Sequence, residues 1–313
     1  MSGIKDNYIS VVVATYNRCE SLSKTLTSLV RQDNDVSFDY EVIVVDNNSN
    51  DRTQQLVQSF VPQFKGKLRY LFESRQGKSY ALNAGIMTAN GAVIAFTDDD
   101  CVVSQNWLQR IHTVLQQNDV DVLRGKVIPI FKNPLPAWLD LNINIFKGPL
   151  VYFDLGDNYL ENKDLEILPS GANLVIRREV YDSFDGFRLE NRSQDTELCH
   201  RWSRLGAKVG YSPQLIVQHM TPVSRLNKAY MRKWHFLSGK NSAQIFCEDY
   251  TQGRSLLGIP LWVYKRLIFS IGRYLKSCPF FQKNNFVNEI WIHYHLGVIW
   301  GLWGCETPFE NLR

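Results

Sequence analysis

The sequence predicts an α/β protein: a doubly wound, mostly parallel sheet flanked by helices, followed by a helical appendage. Three observations carry this. Short apolar, β-branched runs alternate with segments of helical periodicity over 9–117, the order that builds a parallel sheet. Each run ends in a polar loop. The last part, 226–313, is rich in basic and aromatic residues and reads as helices.

Residues 9–14 (ISVVVA) read as a strand buried on both faces, with Thr15-Tyr16-Asn17-Arg18 as the loop after it. Leu22, Leu26, Leu29 and Val30 recur at helical spacing within 21–32. A second strand over 40–45 (YEVIVV) closes at Asp46-Asn47-Asn48-Ser49, and Asp51 can cap a helix over 53–60. A third strand over 68–72, a helix over 79–89 stopped by Gly91, and a fourth strand over 92–97 (AVIAFT) follow. Asp98-Asp99-Asp100 sits at the carboxyl end of that strand, and Ser104 caps a helix over 107–117. Beyond it, 124–131 reads as a strand and 132–158, rich in Pro, Asn and Gly, as a flexible excursion. Residues 170–173 (SGAN) lead into a strand over 174–177, then helices over 179–184 and 194–205, then two strands over 208–211 and 215–219. In the tail, 227–243 and 256–277 read as helices; 290–304 is strongly apolar but shorter than the roughly 20 residues of a spanning helix.

A chain of 313 residues has room for about two domains. Hydrophobic residues at 44% and charged residues at 21% exclude a disordered chain. The six cysteines contain no C-x-x-C pair, so neither a zinc ribbon nor a disulfide scaffold is expected, and a reducing, cytoplasmic setting fits. Residues 1–8 hold no apolar stretch, so a secretory leader is not expected. The net charge of +4 hides an asymmetry: 225–313 holds 12 basic and 5 acidic residues, and five of the 8 tryptophans (234, 262, 291, 300, 303). Such a tail suits peripheral contact with the inner face of a membrane. Packing on the body or on a second copy fits the same apolar faces, so homo-oligomerisation stays open. The basic residues are interleaved with bulky aliphatics and no nucleic-acid-binding motif is present, so nucleic acid is not an expected partner.

Ligands bind outside the carboxyl ends of strands in such sheets, which puts 15–18, 46–49 and 98–100 on one rim. There is no G-x-G-x-x-G after the first strand and no G-x-x-x-x-G-K-[ST], so a dinucleotide or P-loop enzyme is not supported. Three adjacent carboxylates repel one another unless paired. In isolation Asp98-Asp99-Asp100 reads as a solvated acidic turn. At this rim it reads as a site for Mg²⁺ or Mn²⁺, hard cations that take oxygen ligands and substrate phosphates. Asp195 and Glu197 lie near a helix start, where a carboxylate serves as an N-cap or as a general base. His219 ends an apolar strand and is a candidate third metal ligand. Arg75, Lys78 and Arg225 are candidates to neutralise a diphosphate, Arg75-Gln76-Gly77-Lys78 leading into a helix N-terminus.

Six segments in order and spacing, SVVVATYNR (10–18), VIVVDNNSNDRT (42–53), GKSYALNAGI (77–86), GAVIAFTDDDC (91–101), PSGANLVIRREVYDSFDGF (169–187) and QDTELCHRWSRLGAKVGYSP (194–213), resemble glycosyltransferase family 2. The resemblance implies the GT-A fold over 1–225, with a nucleotide-binding half at about 8–100 and an acceptor half at about 101–225, and leaves 226–313 as the appendage. It implies an inverting, metal-dependent transferase that moves a sugar from a nucleotide-diphospho-sugar to a glycan or lipid-linked acceptor. In that reading Thr15, Asn17 and Arg18 line the nucleotide pocket, Asp46 and Asn47 approach the base, and Arg75, Lys78 and Asn83 face base or diphosphate. Asp98 and Asp100 match the family's D-x-D, with Asp100 the direct metal ligand, Asp98 or Asp99 near the ribose, and His219 metal-proximal. Ser170, Gly171, Ala172 and Asn173 form part of the sugar and acceptor pocket, with Glu197 a further substrate contact. Asp195 falls at the catalytic-base position. Two positions depart from the pattern: Asp46-Asn47 replaces the usual acidic pair, which leaves the nucleotide base unassigned, and Gln194 replaces the usual Glu before the base. The Q-x-x-R-W signature of processive synthases is absent after Asp195, which implies single addition. The rival readings are a nucleotidyltransferase, which needs a Gly-rich basic loop where Thr15-Tyr16-Asn17-Arg18 stands, and a non-catalytic sugar-nucleotide or glycan-binding module.

Overall fold

A computed structural model describes residues 5–32, 38–161, 171–189, 193–250, 253–277 and 285–303. The chain divides into two units, one of Met1–Ile130 with Val151–Thr221, the other of Phe131–Leu150 with Pro222–Arg313.

The first unit opens with β1 (Lys5–Thr15), α1 (Cys19–Val30), β2 (Asp39–Asp46), α2 (Thr53–Phe60), β3 (Leu68–Phe72), α3 (Lys78–Thr88) and β4 (Gly91–Phe96). These four strands pair in parallel in the order β3-β2-β1-β4. Helices cover both faces, so Val11–Val13 and Val42–Val45 are unbroken apolar runs with almost no exposure. Gly85 lets α3 approach β1: a Cβ there would lie 2.5 Å from Val12 Cγ1.

The second half of the sheet is antiparallel. It comprises β5 (Cys101–Val103), β6 (Val122–Phe131), β7 (Leu160–Glu161), β8 (Leu174–Arg177) and β9 (Val209–Thr221), with α4 (Trp107–Gln117), α5 (Arg178–Phe184) and α6 (Gln194–Arg204) between strands. The full order is β3-β2-β1-β4-β8-β6-β9-β5, with β7 on β9, nine strands among the described residues. β9 is one strand where the sequence suggests two, because the backbone stays extended through Pro213 and Gln214, which break only the side-chain pattern. β5 is too short to register as an apolar run, yet it pairs Cys101 with His219 and so brings β9 beside the acidic triplet.

The second unit holds α7 (Lys228–Ile245), α8 (Cys247–Tyr250), a hairpin of β10 (Ser255–Leu256) and β11 (Ile259–Pro260), α9 (Leu261–Ser277) and α10 (Asn285–Trp303). Asn227 caps α7, its side chain accepting from the Tyr230 N–H at 2.8 Å. α7 and α10 pack backbone against backbone: a Cβ on Gly297 would lie 2.0 Å from Phe236 O, and one on Gly239 would lie 2.1 Å from Tyr294 O. Leu139, Phe146 and Leu150, from the stretch that the sequence marks as an excursion, pack with Leu226, Met231, Phe286 and Ile290. The hairpin replaces the first turn of the helix expected from 256, because Leu257 and Gly258 both take positive φ and Pro260 follows. No helix among the described residues is long and apolar enough to cross a membrane.

Candidate functional site

The carboxyl ends of the parallel strands deliver the site. β4 runs out at Phe96, and the acidic triplet turns directly into β5. Register with β9 then sets His219 opposite Cys101, and the Met220 N–H donates to Asp100 O at 2.9 Å. His219 is buried, with Nε2 3.5 Å from Asp100 Oδ1 and Nδ1 3.2 Å from Thr221 Oγ1.

The triplet is held by two cations and a hydroxyl. Arg18 Nη1 reaches Asp99 Oδ1 at 3.1 Å and Asp100 Oδ2 at 2.9 Å. Thr15 Oγ1 donates to Asp99 Oδ2 at 2.8 Å, and Lys78 Nζ pairs with Asp98 Oδ1. Burial pushes Asp99 up to about 6; Arg18 and Thr15 oppose that rise, and the neighbouring Asp100 and Asp98 add to it. Desolvation would lower the Lys78 pKa, but the carboxylates of Asp98, Asp195 and Asp99 outweigh it and raise it. Asp195, distant in sequence, therefore acts on the same ammonium as the triplet.

The loops after β1, β2 and β3 lock together. Asn17 takes a left-handed φ of 51°, donates its N–H to Ser49 Oγ at 2.9 Å and accepts from the Asn50 N–H at 2.8 Å. Asp46 is buried and accepts from Tyr70 OH at 2.8 Å and from the Ser49 N–H at 2.9 Å. The Asn47 amide faces the next loop. Its Nδ2 donates to Arg75 O at 2.7 Å and Glu73 O at 3.3 Å, and its Oδ1 accepts from the Gly77 N–H at 2.7 Å and Gln76 Nε2 at 3.4 Å. All four capacities of the amide are used. Arg75 stacks over Tyr80 and forks onto Glu73, and its hydrogen bonds hold that carboxyl down at about 2.

The acceptor side is built on α6 and the turn before β8. Asp195 is in the first turn of α6, and its Oδ2 accepts from the Gly171 N–H at 2.7 Å. A Cβ on Gly171 would lie 3.1 Å from that oxygen. Glu197 is buried beneath Arg201, at 2.8 Å, and Arg188, at 3.4 Å. Ala172 is buried. Asn173 accepts from Trp107 Nε1 at 2.9 Å and donates to Lys126 O and Leu215 O at 3.0 and 2.9 Å. Asn83 holds the main chain of Phe187 from both sides, accepting its N–H at 3.0 Å and donating to its carbonyl at 2.8 Å.

The structure thus brings together Thr15, Arg18, Lys78, Asp98, Asp99, Asp100 and His219, with Asp195 in electrostatic reach. It turns the amides of Asn47, Asn83 and Asn173 onto neighbouring chain. Ser170 lies outside the described residues. Arg225 belongs to the second unit, where Nη1 donates to Pro149 O at 3.5 Å. Sequence reasoning missed Thr221 and Tyr70. Thr221 was legible: two residues beyond His219 on a strand, it shares that side chain's face.

No group of three His, Cys, Asp or Glu side chains among the described residues is gathered around a metal position. The donor chemistry nevertheless fits Mg²⁺ or Mn²⁺: Asp100 Oδ1 and His219 Nε2 converge, and Thr221 on Nδ1 orients the ring as outer partners of metal-binding histidines do.

Residues 10–184 match the family model described as glycosyl transferase family 2. The chain is 27% identical over 261 residues to glycosyltransferase AglE of Haloferax volcanii, covering 82% of this chain and 80% of AglE. It is 25% identical over 309 residues to the succinoglycan biosynthesis protein ExoM of Rhizobium meliloti, covering 96% of this chain and 94% of ExoM. Among solved structures, the mannosyltransferase PcManGT from Pyrobaculum calidifontis, in complex with GDP-Man and Mn²⁺, superposes with a TM-score of 0.61 at 17% identity, covering 95% of this chain and 88% of that one. That likeness carries the fold: a GT-A type sheet flanked by helices, with helices at the C-terminal end.

Proposed function

The chain belongs to glycosyl transferase family 2, and on that premise we propose that it is an inverting, metal-dependent, single-addition transferase. It would move a sugar from a nucleotide-diphospho-sugar to a glycan or lipid-linked acceptor in polysaccharide or cell-surface glycan synthesis. The catalytic part is 1–225, with 226–313 as its appendage, working in the cytoplasm where nucleotide sugars are made. The observation that supports this best is the Asp195 carboxylate, anchored through one oxygen by the Gly171 N–H and electrostatically coupled to Lys78 at the acidic triplet.

Asp195 removes the proton from the acceptor hydroxyl. The acceptor oxygen attacks the anomeric carbon from the face opposite the diphosphate, the bond to the diphosphate oxygen breaks, and its electron pair leaves with the nucleoside diphosphate. One displacement inverts the anomeric centre. Asp100 and His219, with Asp98, would hold Mg²⁺ or Mn²⁺, which when bound neutralises charge on the diphosphate oxygens. Arg18 and Lys78 set fixed positive charge at the same rim, so leaving-group charge develops against pre-placed cations. Thr15 and Arg18 hold Asp99 and so keep the triplet in register with the β1 loop.

The test is Asp195→Asn, isosteric and still able to accept from the Gly171 N–H. Donor binding by calorimetry stays near wild type while transfer falls about 10²- to 10⁴-fold, the usual contribution of a positioned base. Near-normal transfer by a folded Asp195→Asn protein would sink the assignment.

A further inference from the structure

We propose that the β10–β11 hairpin tip and the outer face of α9 form a docking surface for an anionic lipid bilayer. The inference does not depend on the chemistry assigned above.

The hairpin turn is the first observation. Leu257 and Gly258 both take left-handed backbone, with φ of 52° and 76°. A two-residue turn of this kind favours Asn-Gly or Asp-Gly, whose first residue tolerates left-handed φ and faces water. Here that position carries a leucine that is 77% exposed, beside Leu256 at 56%. A leucine at this left-handed position costs backbone strain in any surroundings, and its exposure to water is a further cost that is removed when the tip enters an apolar phase.

The second observation is α9, which begins directly after the hairpin. Leu261, Ile268 and Leu275 recur every seven residues and so form one stripe, and all three are exposed. Beside it run Lys265, Arg266, Phe269, Arg273 and Lys276. The helix contains no acidic residue. Among the described residues none of its four basic side chains forms an ion pair; Arg266 lies over Trp262 and Arg273 over Phe269 instead. An apolar stripe flanked by unneutralised basic and aromatic side chains is the pattern of a helix lying in the headgroup plane. The charge also selects the occupant. A second copy docking through this face would set two uncompensated basic stripes against each other, whereas an anionic headgroup layer complements them.

The test is co-sedimentation of the full chain with vesicles of equimolar phosphatidylglycerol and phosphatidylcholine, and with phosphatidylcholine alone. The chain is expected to pellet with the mixed vesicles and to be released by salt. Replacing Lys265, Arg266, Arg273 and Lys276 together by Gln should weaken binding several hundredfold, at about fivefold per basic residue near an anionic surface. Leu257→Asn should weaken it roughly tenfold while leaving the fold intact by circular dichroism, since Asn suits the turn. Four results would overturn the proposal: no binding to the mixed vesicles, equal binding to phosphatidylcholine alone, binding indifferent to these substitutions, or a dimer in sedimentation equilibrium that Ile268→Ser dissociates.

Discussion

Asn47→Asp changes one atom and should be costly. In the wild-type chain Nδ2 supplies the two donors that tie Arg75 O and Glu73 O to the β2 loop. A carboxylate cannot donate, and it would set an oxygen against two carbonyl oxygens. Each buried carbonyl left without a donor costs about 1–3 kcal/mol. The Gly77 N–H contact, 2.7 Å in the wild type, would become charge-assisted and return about 1 kcal/mol. The two carbonyls together cost about 2–6 kcal/mol, so the net loss is about 1–5 kcal/mol, a substantial share of a typical total of about 5–15 kcal/mol. Urea denaturation reads it as a lower midpoint at unchanged slope. Because the loop feeds directly into Lys78, donor affinity should fall with it. An Asn47→Asp protein as stable as wild type would refute the clamp.

Gly171→Ala meets no backbone penalty, but its Cβ presses on Asp195 Oδ2 at 3.1 Å; stability should hold while transfer falls about tenfold, read as a drop in kcat at unchanged donor KM. His235 is buried, and desolvation, with His293 adding to it, lowers its pKa to about 4 against a partly opposing hydrogen bond with the Ile145 main chain. Between pH 6.5 and 4 the unfolded chain therefore binds a proton that the folded chain does not, so stability falls as the pH is lowered through that window, by on the order of 3 kcal/mol. Thermal melts of His235→Leu should lack that acid slope.

The parallel half of the sheet was legible because strands covered on both faces must be continuous apolar runs, as Val11–Val13 and Val42–Val45 are. The rim loops followed from topology. Side-chain direction did not. Asn47 and Asn173, from loops, and Asn83, from α3, are all expected to meet substrate, yet their amides are taken up by main-chain partners, which residue type alone cannot reveal. The pairing of Arg18 with Asp99 and Asp100 joins residues 81 and 82 positions apart, and only the β1–β4 register makes them neighbours. The hairpin before α9 escaped a periodicity reading because Leu256, Leu257 and Ile259 look like a helix's first apolar turn until Gly258 and Pro260 are weighed.

The central claim is sugar transfer from a nucleotide-diphospho-sugar at this rim. Its most direct test incubates the full chain, with Mg²⁺ or Mn²⁺, against a panel of nucleotide sugars and follows nucleoside diphosphate release and the anomeric configuration of the product. Turnover of one donor class, lost with chelator and giving an inverted product, is the predicted result. A product of retained configuration, pyrophosphate released from a nucleoside triphosphate and a sugar phosphate, or donor binding without any turnover would contradict it.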